Sequence, residues 1–452
     1  MKQTFSTKEK IIQLFIILVP ILITQLGMFS MSFFDTMMSG QYSHIDLAGV
    51  AIGSSIWIPV FTGLSGILLS ITPIVSQNIG ANNKEDVSFS VVQGLYASLA
   101  LSVVVIISGF IVLEPLLNNL AISEETRRVA KEYLIALSFG IIPLFISNVL
   151  RSFIDALGYT RVSMIITLTS LPLNFMFNYM FIFGKFGLPE LGGVGAGIAS
   201  SITYWILLFL SLYIIQTKRP FQTYQIFSTF FPISLKKWKE IFLIGLPIGL
   251  SIFFETSIFS AVTLFMDEYG AVVIAAHQSA INFASFLYMI PLSISLALTI
   301  VVGFEVGAKR YREAKQYAIM GILTAVLFSI ICGVFLYFQR EAVASIYSDS
   351  PEVVKLTAQF LLFALFFQLS DAIQAPVQGA LRGYKDVNVT FMMTLLSYWI
   401  IGLPLGYTLA NYTDAGPFGY WIGLIAGLTA GAITLSGRLY LVQKKNIRLE
   451  KG

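Results

Sequence analysis

The sequence predicts an all-α integral membrane protein, with twelve transmembrane helices in two six-helix bundles related by an internal parallel repeat. Composition is the first ground. The 452 residues are 56% hydrophobic and 12% charged, with a mean hydropathy of +0.80, more apolar side chain than a soluble fold of this length can bury. Self-similarity is the second. An offset of 227 residues carries Pro20 onto Pro247, and with no gap it pairs Ser30 with Ser257, Thr36 with Thr263, Ala48 with Ala275, Leu69 with Leu296 and Gly80-Ala81 with Gly307-Ala308. Farther on, a drift of two pairs Gly158-Tyr159 with Gly383-Tyr384. A membrane chain made of two copies of one unit is the pattern of a transporter, whose halves rock about a central site.

Apolar runs of about 20 residues or more read as spans. In the first half they cover 11–38, 47–75, 88–113, 130–152, 160–184 and 193–215, and in the second 241–266, 272–302, 315–338, 353–381, 387–411 and 416–440. The first run is too long for a signal peptide and lacks a small-residue cleavage site, so it reads as a span. The halves become an N-terminal six-helix lobe at 1–218, a cytoplasmic linker at 219–240 and a C-terminal six-helix lobe at 241–452. Lys and Arg set the orientation, because they accumulate in short cytoplasmic loops. The termini and the loops after even-numbered spans hold 22 of the 28, leaving Arg127, Arg128, Lys131, Lys185, Arg340 and Lys355 on the other side. Both termini are therefore expected in the cytoplasm of a multi-pass cell-membrane protein. Loops at Lys84, Arg161, Lys236 and Lys309 fall inside, and those at Glu125, Glu190, Asp267 and Asp414 outside.

Other functions lose support from the same composition. The net charge of +4 reflects the loop bias, and no basic stripe with interleaved aromatics suggests nucleic acid. Cys332 is the only cysteine, and His44 and His277 lie in different halves, which argues against a disulfide framework or a histidine metal centre. No G-x-x-x-x-G-K-[ST] loop is present, so direct drive by ATP is not expected. Neither an enzymatic activity nor a cofactor is predicted, and a monomer is expected.

Carboxylates inside the apolar runs are the informative exceptions, since an Asp at a membrane helix centre costs about 2.5–3.5 kcal/mol on insertion scales. They are Asp35, Glu255 and Asp371. Glu255 lies fourteen residues past Ile241 and Asp371 eleven before Arg382, hence about 21 Å and 17 Å from the inner face at ~1.5 Å per residue. Matching depth makes a paired site on spans seven and ten, with Ser257, Gln278, Tyr288 and Gln374 as further polar candidates. Asp35 sits near the outer end of span one, where snorkelling is the alternative. Its candidate partners, Asn174 and Asn178, are four apart on one face of span five; interhelical glue is the competing role for such amides. Of the prolines within spans, the repeat-related Pro20 and Pro247 are candidate hinges. No Lys or Arg is placed at mid-span.

At these residues the chain resembles the multidrug and toxic compound extrusion (MATE) family, near its NorM branch, over essentially its whole length. The matching segments are Phe33-Phe34-Asp35-Thr36, Leu47-Ala48-Gly49-Val50-Ala51, Gln77-Asn78-Ile79-Gly80-Ala81, Glu255, Ile274-Ala275-Ala276-His277-Gln278, and Asp371 with Gln378-Gly379-Ala380-Leu381-Arg382-Gly383. The resemblance implies cation-coupled antiport of organic cations, with Glu255 and Asp371 as coupling site, Na+ bound there if sodium is the coupling ion, and Asp35 as a further carboxylate. Two departures stand out. Asn178 occupies the place where other branches carry an acid on span five, and position 367 is Phe where some NorM-like members have Tyr. A buried acid pair suits Na+ or H+ equally. Among rival readings, a lipid-linked oligosaccharide flippase of related fold calls for a strongly basic cavity, a major-facilitator symporter for a Gly-Asp-Arg loop between spans two and three, and an intramembrane aspartyl protease for a Gly-x-Gly-Asp setting. The sequence supplies none of the three.

Overall fold

The computed structural model describes residues 1–451; the side chains of Phe33 and Asp267, named above, lie outside its described part. It is all-helical among the described residues, in the order α1 Thr7–Tyr42, α2 His44–Leu68, α3 Ile71–Gly80, α4 Lys84–Asn118, α5 Glu124–Ser138, α6 Ile141–Ala156, α7 Thr160–Ile182, α8 Gly193–Thr217, α9 Leu235–Phe265, α10 Ala271–Gly307, α11 Tyr311–Tyr347, α12 Pro351–Gly383, α13 Asn388–Leu395, α14 Leu403–Tyr412 and α15 Phe418–Lys451. Eleven helical stretches among them are long and apolar enough to cross a bilayer, and α5 with α6, bent by 50°, makes the twelfth. The chain is thus an all-α, multi-pass membrane protein with six spans in each half. Local sequence starts the helices: Ser43 caps α2 by accepting from Ile45 and Asp46 N–H, and Asn83 caps α4 by accepting from Asp86 N–H.

The repeat persists in three dimensions. Helices α2 and α10 begin at His44 and Ala271, α4 and α11 at Lys84 and Tyr311, α5 and α12 at Glu124 and Pro351, each pair separated by the offset that relates Pro20 to Pro247. The turns at Asn82 and Lys309 both take positive φ, 56° and 59°. The turn after α6 does so at Gly158 (84°) and the one after α12 at Lys385 (59°). This corrects the drift inferred from Gly-Tyr dipeptides. The structurally equivalent residues are Gly158 and Lys385, so the original offset holds through this turn, and a lysine accepts the left-handed conformation that glycine takes without steric cost.

Asymmetries lie inside the spans. Span two is interrupted between α2 and α3, and span four bends at Phe139-Gly140, whereas their counterparts α10 and α12 are continuous. In the second half the break falls instead at a π-helical segment, Leu396–Gly402, between α13 and α14. Such segments are frequent at functional sites.

Two units pack separately: Met1–Leu18 with Leu250–Gly452, and Val19–Gly249. In the first, α12 packs against α10, α11 and α15. Helix α12 approaches α10 closely at Gly379, where a Cβ would stand 2.1 Å from the Ser295 carbonyl oxygen. His277, fully buried, accepts from Trp421 Nε1 at 3.2 Å and lies 3.1 Å from Thr263 Oγ1, a packing role. The N-terminal arm docks on the same unit, with Lys10 Nζ 2.5 Å from Glu313 and Thr4 Oγ1 2.9 Å from the Tyr317 hydroxyl. In the second unit, the segment before α9 is held to α4 by Gln93 Nε2, which donates to Pro232 O at 2.7 Å, and by Lys237 paired with Asp86 at 3.1 Å.

Candidate functional site

In the C-terminal unit, α12 carries Asp371, Gln374, Gln378 and Arg382 at spacings of three, four and four, which place them on one face. All four are buried, Asp371 at 7% and Arg382 at 5% exposure. Helix α9 brings Glu255 to this face. Its Oε1 accepts from Gln378 Nε2 at 2.5 Å and from Gln374 Nε2 at 3.4 Å. Gln374 Nε2 also donates to the Tyr398 hydroxyl, and Arg382 Nη2 donates to Gln378 Oε1 at 3.4 Å. Gln378 is therefore an amide relay, its NH2 turned to the carboxylate and its oxygen to the guanidinium. Trp399 Nε1 fixes the π-helical segment by donating to Phe254 O at 3.1 Å.

Asp371 lies within Coulombic range of Glu255, and Tyr288 within range of both acids. Among the described residues no group donates a hydrogen bond to Asp371, and the Gln374 Oε1 atom is buried without a partner. Two carboxylates, an unpartnered amide oxygen and a phenol make an oxygen-rich set suited to a small hard cation or to a proton. With Arg382 counted, the cluster carries one net negative charge when both acids are ionised. No group of three or more His, Cys, Asp or Glu capable of holding a metal occurs among the described residues. The structure thus brings together Glu255, Asp371, Gln374 and Tyr288. Gln278 is exposed and donates instead to Thr263 Oγ1 at 3.5 Å, and Ser257 donates to Phe253 O of its own helix at 2.6 Å.

The N-terminal unit holds a second cluster. Asp35 Oδ1 accepts from Asn178 Nδ2 at 2.7 Å and Oδ2 from Ser200 Oγ at 3.0 Å. Asn178 Nδ2 also donates to Asn174 Oδ1 at 3.1 Å, and Asn174 Nδ2 donates to Ser200 Oγ at 3.3 Å, which closes a network across α1, α7 and α8. Both asparagines are buried. Asp35 lines a cavity of about 220 Å³ with Trp57, Phe61, Tyr133 and Tyr204 also in its wall. Arg151, five residues before the end of α6 at Ala156, also lines it.

Ser200, Gln378, Tyr398 and Arg382 belong to these sites but were not singled out as site residues from the sequence. The signal for Gln378 and Arg382 was their helical spacing from Asp371; Ser200 is one of many serines and had none.

Comparison with known proteins follows the same architecture. The MatE family model matches twice, over residues 20–180 and again over 247–408, once per repeat. The chain belongs to the MatE family. Among curated relatives, a probable multidrug resistance protein NorM of Halalkalibacterium halodurans is 57% identical over 445 residues, covering 98% of this chain and 97% of that one. The Oceanobacillus iheyensis protein of the same description is 57% identical over 447 residues, covering 99% and 100%. This MatE protein is accordingly NorM-like throughout its length. Solved structures agree in fold: a eukaryotic MATE transporter superposes with a TM-score of 0.85 at 20% identity, covering 98% of both chains. An outward-facing multidrug resistance MATE transporter superposes with a TM-score of 0.86 at 20% identity, covering 95% and 96%.

Proposed function

We propose that this protein exports chemically diverse amphiphilic organic cations by antiport, with Na+ or H+ entering as drugs or dyes leave, through alternating access of the two lobes in the cell membrane with both termini cytoplasmic. The observation that supports this most directly is the Glu255–Asp371 cluster. A membrane-embedded acid pair that, with Arg382 counted, carries one net negative charge when both acids are ionised is costly unless it is used, and its oxygen-rich lining matches a monovalent cation or a proton. Asp35, in a separate aromatic cavity, offers a second carboxylate for either a proton or an organic cation. Coupling requires that the inorganic cation and the drug favour different states of the protein, since a ligand with equal affinity for both states drives nothing. The duplicated six-span unit, matched twice by one family model, supplies the two bodies that alternating access needs. The NorM names of the relatives favour drugs over other cargo. A lipid-linked oligosaccharide flippase remains the alternative, and the single arginine lining the cavity supports it poorly, because a pyrophosphate calls for several basic groups. The test is dye efflux from proteoliposomes with Na+ and pH gradients imposed separately. Efflux driven by either gradient is the expected outcome; efflux indifferent to both overturns the coupling.

A further inference from the structure

Between α8, which ends at Thr217, and α9, which begins at Leu235, the chain passes from one repeat to the next with a single short 3-10 turn, Phe221–Tyr224. The linker is clipped in place. Phe221 is buried, its ring centroid 6.2 Å from that of Phe153 and 5.4 Å from that of Tyr159. Beyond it, side chains of α4 hold the backbone. Ser88 Oγ donates to Tyr224 O at 2.5 Å, Tyr96 Oη to Phe231 O at 3.1 Å and Gln93 Nε2 to Pro232 O at 2.7 Å, while Gln93 Oε1 accepts from Ser234 N–H at 2.9 Å.

These contacts fix the depth of the linker. Ser88 opens the apolar run 88–113 and Tyr96 lies eight residues into it, about 12 Å along α4 at ~1.5 Å per residue. The segment from Tyr224 to Ser234 therefore runs beside a membrane helix at the level of the lipid headgroups and the first acyl carbons.

Its outward side suits that level. Phe227, Phe230, Ile233 and Leu235 are 43%, 85%, 62% and 77% exposed, and with the backbone clipped to α4 they cannot fold inward. Basic groups flank them. From Lys218 to Lys239 the sequence has five Lys or Arg and no acid. Lys237 is engaged by Asp86 and Glu240, but Lys218, Arg219, Lys236 and Lys239 are exposed and make no ion pair among the described residues. Lys236 and Lys239 also stand in the first turn of α9, where the helix dipole disfavours cations, so the fold itself gains nothing from them. Arg219 and Phe227 line a cavity of about 590 Å³ with Gln216, Gln222, Gln225 and Ser228, whose side chains make no hydrogen bond among the described residues.

We propose that the linker is an anionic-phospholipid site. Phe227, Phe230, Ile233 and Leu235 enter the bilayer interface, and Arg219 with the unpaired lysines binds the phosphate groups there. Apolar insertion alone suits any lipid, and basic side chains alone suit any polyanion; the combination at this depth selects a phospholipid whose headgroup is negative. The amides and hydroxyl beside Arg219 take the polar end of that headgroup. The site is independent of cargo and of coupling ion.

The test titrates purified full-length protein, in a neutral detergent, with dioctanoyl phosphatidylglycerol and separately with dioctanoyl phosphatidylcholine, counting bound lipid by native mass spectrometry. The wild type is expected to bind the glycerol lipid roughly tenfold or more tightly, and inorganic phosphate at the same concentration leaves that lipid bound. Arg219→Gln and Lys236→Gln each lower the ratio about fivefold, the equivalent of the ~1 kcal/mol that one basic group contributes near an anionic surface. Phe230→Ser weakens both lipids and leaves the ratio unchanged. Lys185→Gln, before the other end of α8, changes neither. Should one charge variant misfold, the other decides. A wild-type ratio near one, an unchanged ratio in Arg219→Gln or Lys236→Gln, an equal fall in Lys185→Gln, or displacement by inorganic phosphate overturns the proposal.

Discussion

Replacing Glu255 by Gln and Asp371 by Asn tests the C-terminal cluster on its own arithmetic. With both acids ionised and Arg382 beside them, the cluster carries one net negative charge. Either substitution brings that charge to zero, and the double substitution leaves Arg382 uncompensated. A monovalent cation about 4 Å from a carboxylate gains ~4 kcal/mol from it at an effective dielectric constant of about 20. Losing one acid therefore weakens cation binding by roughly a thousandfold, at ~1.4 kcal/mol per decade. Gln at position 255 still presents an oxygen to Gln378 Nε2, so the hydrogen-bond frame persists and insertion becomes easier, not harder. The assay is cation-triggered release of a prebound fluorescent organic cation from purified protein, titrated with Na+ at fixed pH and then with H+ at fixed Na+. Each single variant is expected to lose release over the range where the wild type responds. The double variant then scores little worse than either single, the non-additivity of groups that serve one role. Release by both single variants with wild-type cation dependence would refute the reasoning, and Asp35 with Asn174 and Asn178 would become the leading coupling site.

Asp35→Asn keeps the shape and a hydrogen-bonding oxygen in the wall of the N-terminal cavity but removes its charge, so dye efflux should lose its pH dependence; efflux at the wild-type rate across neutral pH would make Asp35 a structural polar group. Gly379→Val forces a side chain onto the Ser295 carbonyl, where even a Cβ would stand 2.1 Å away. Overpacking of this kind costs about 1–3 kcal/mol or more, and a lower melting temperature in detergent with diminished Glu255-dependent release is expected; a melting temperature and a release indistinguishable from wild type would show that α10 and α12 separate freely. Single cysteines at Glu125, Glu190 and Asp414 should react with an impermeant reagent added outside intact cells, and those at Lys84, Arg161, Lys236 and Lys309 should not; strong external labelling at 84 or 309 contradicts the orientation set by the basic loops.

What the sequence disclosed, and what it hid, follows from the range of each signal. Helix content and the repeat were legible because apolar length and a constant offset are properties of the chain itself. The acid pair was legible through cost: Glu255 and Asp371 stand in apolar runs at matching depth, and Gln374 followed from helical spacing. Tyr398 was not legible, since its place beside Gln374 depends on the π-helical segment Leu396–Gly402, a local change of helical register that no apolar period reports. Ser200 was hidden for a different reason, being chosen from many serines only by the packing of α8 on α7. Arg151 was hidden because it stands at the very end of the apolar run 130–152, and only the packing of the helices around α6 makes it line a cavity. The drift of two had the same origin: matching Gly-Tyr with Gly-Tyr aligned identical letters, while the left-handed turn residues are Gly158 and Lys385. Only with the offset held constant does Arg151 fall on Gln378, so the equivalence of these two residues comes from the conformation of the turns and not from the identity of letters.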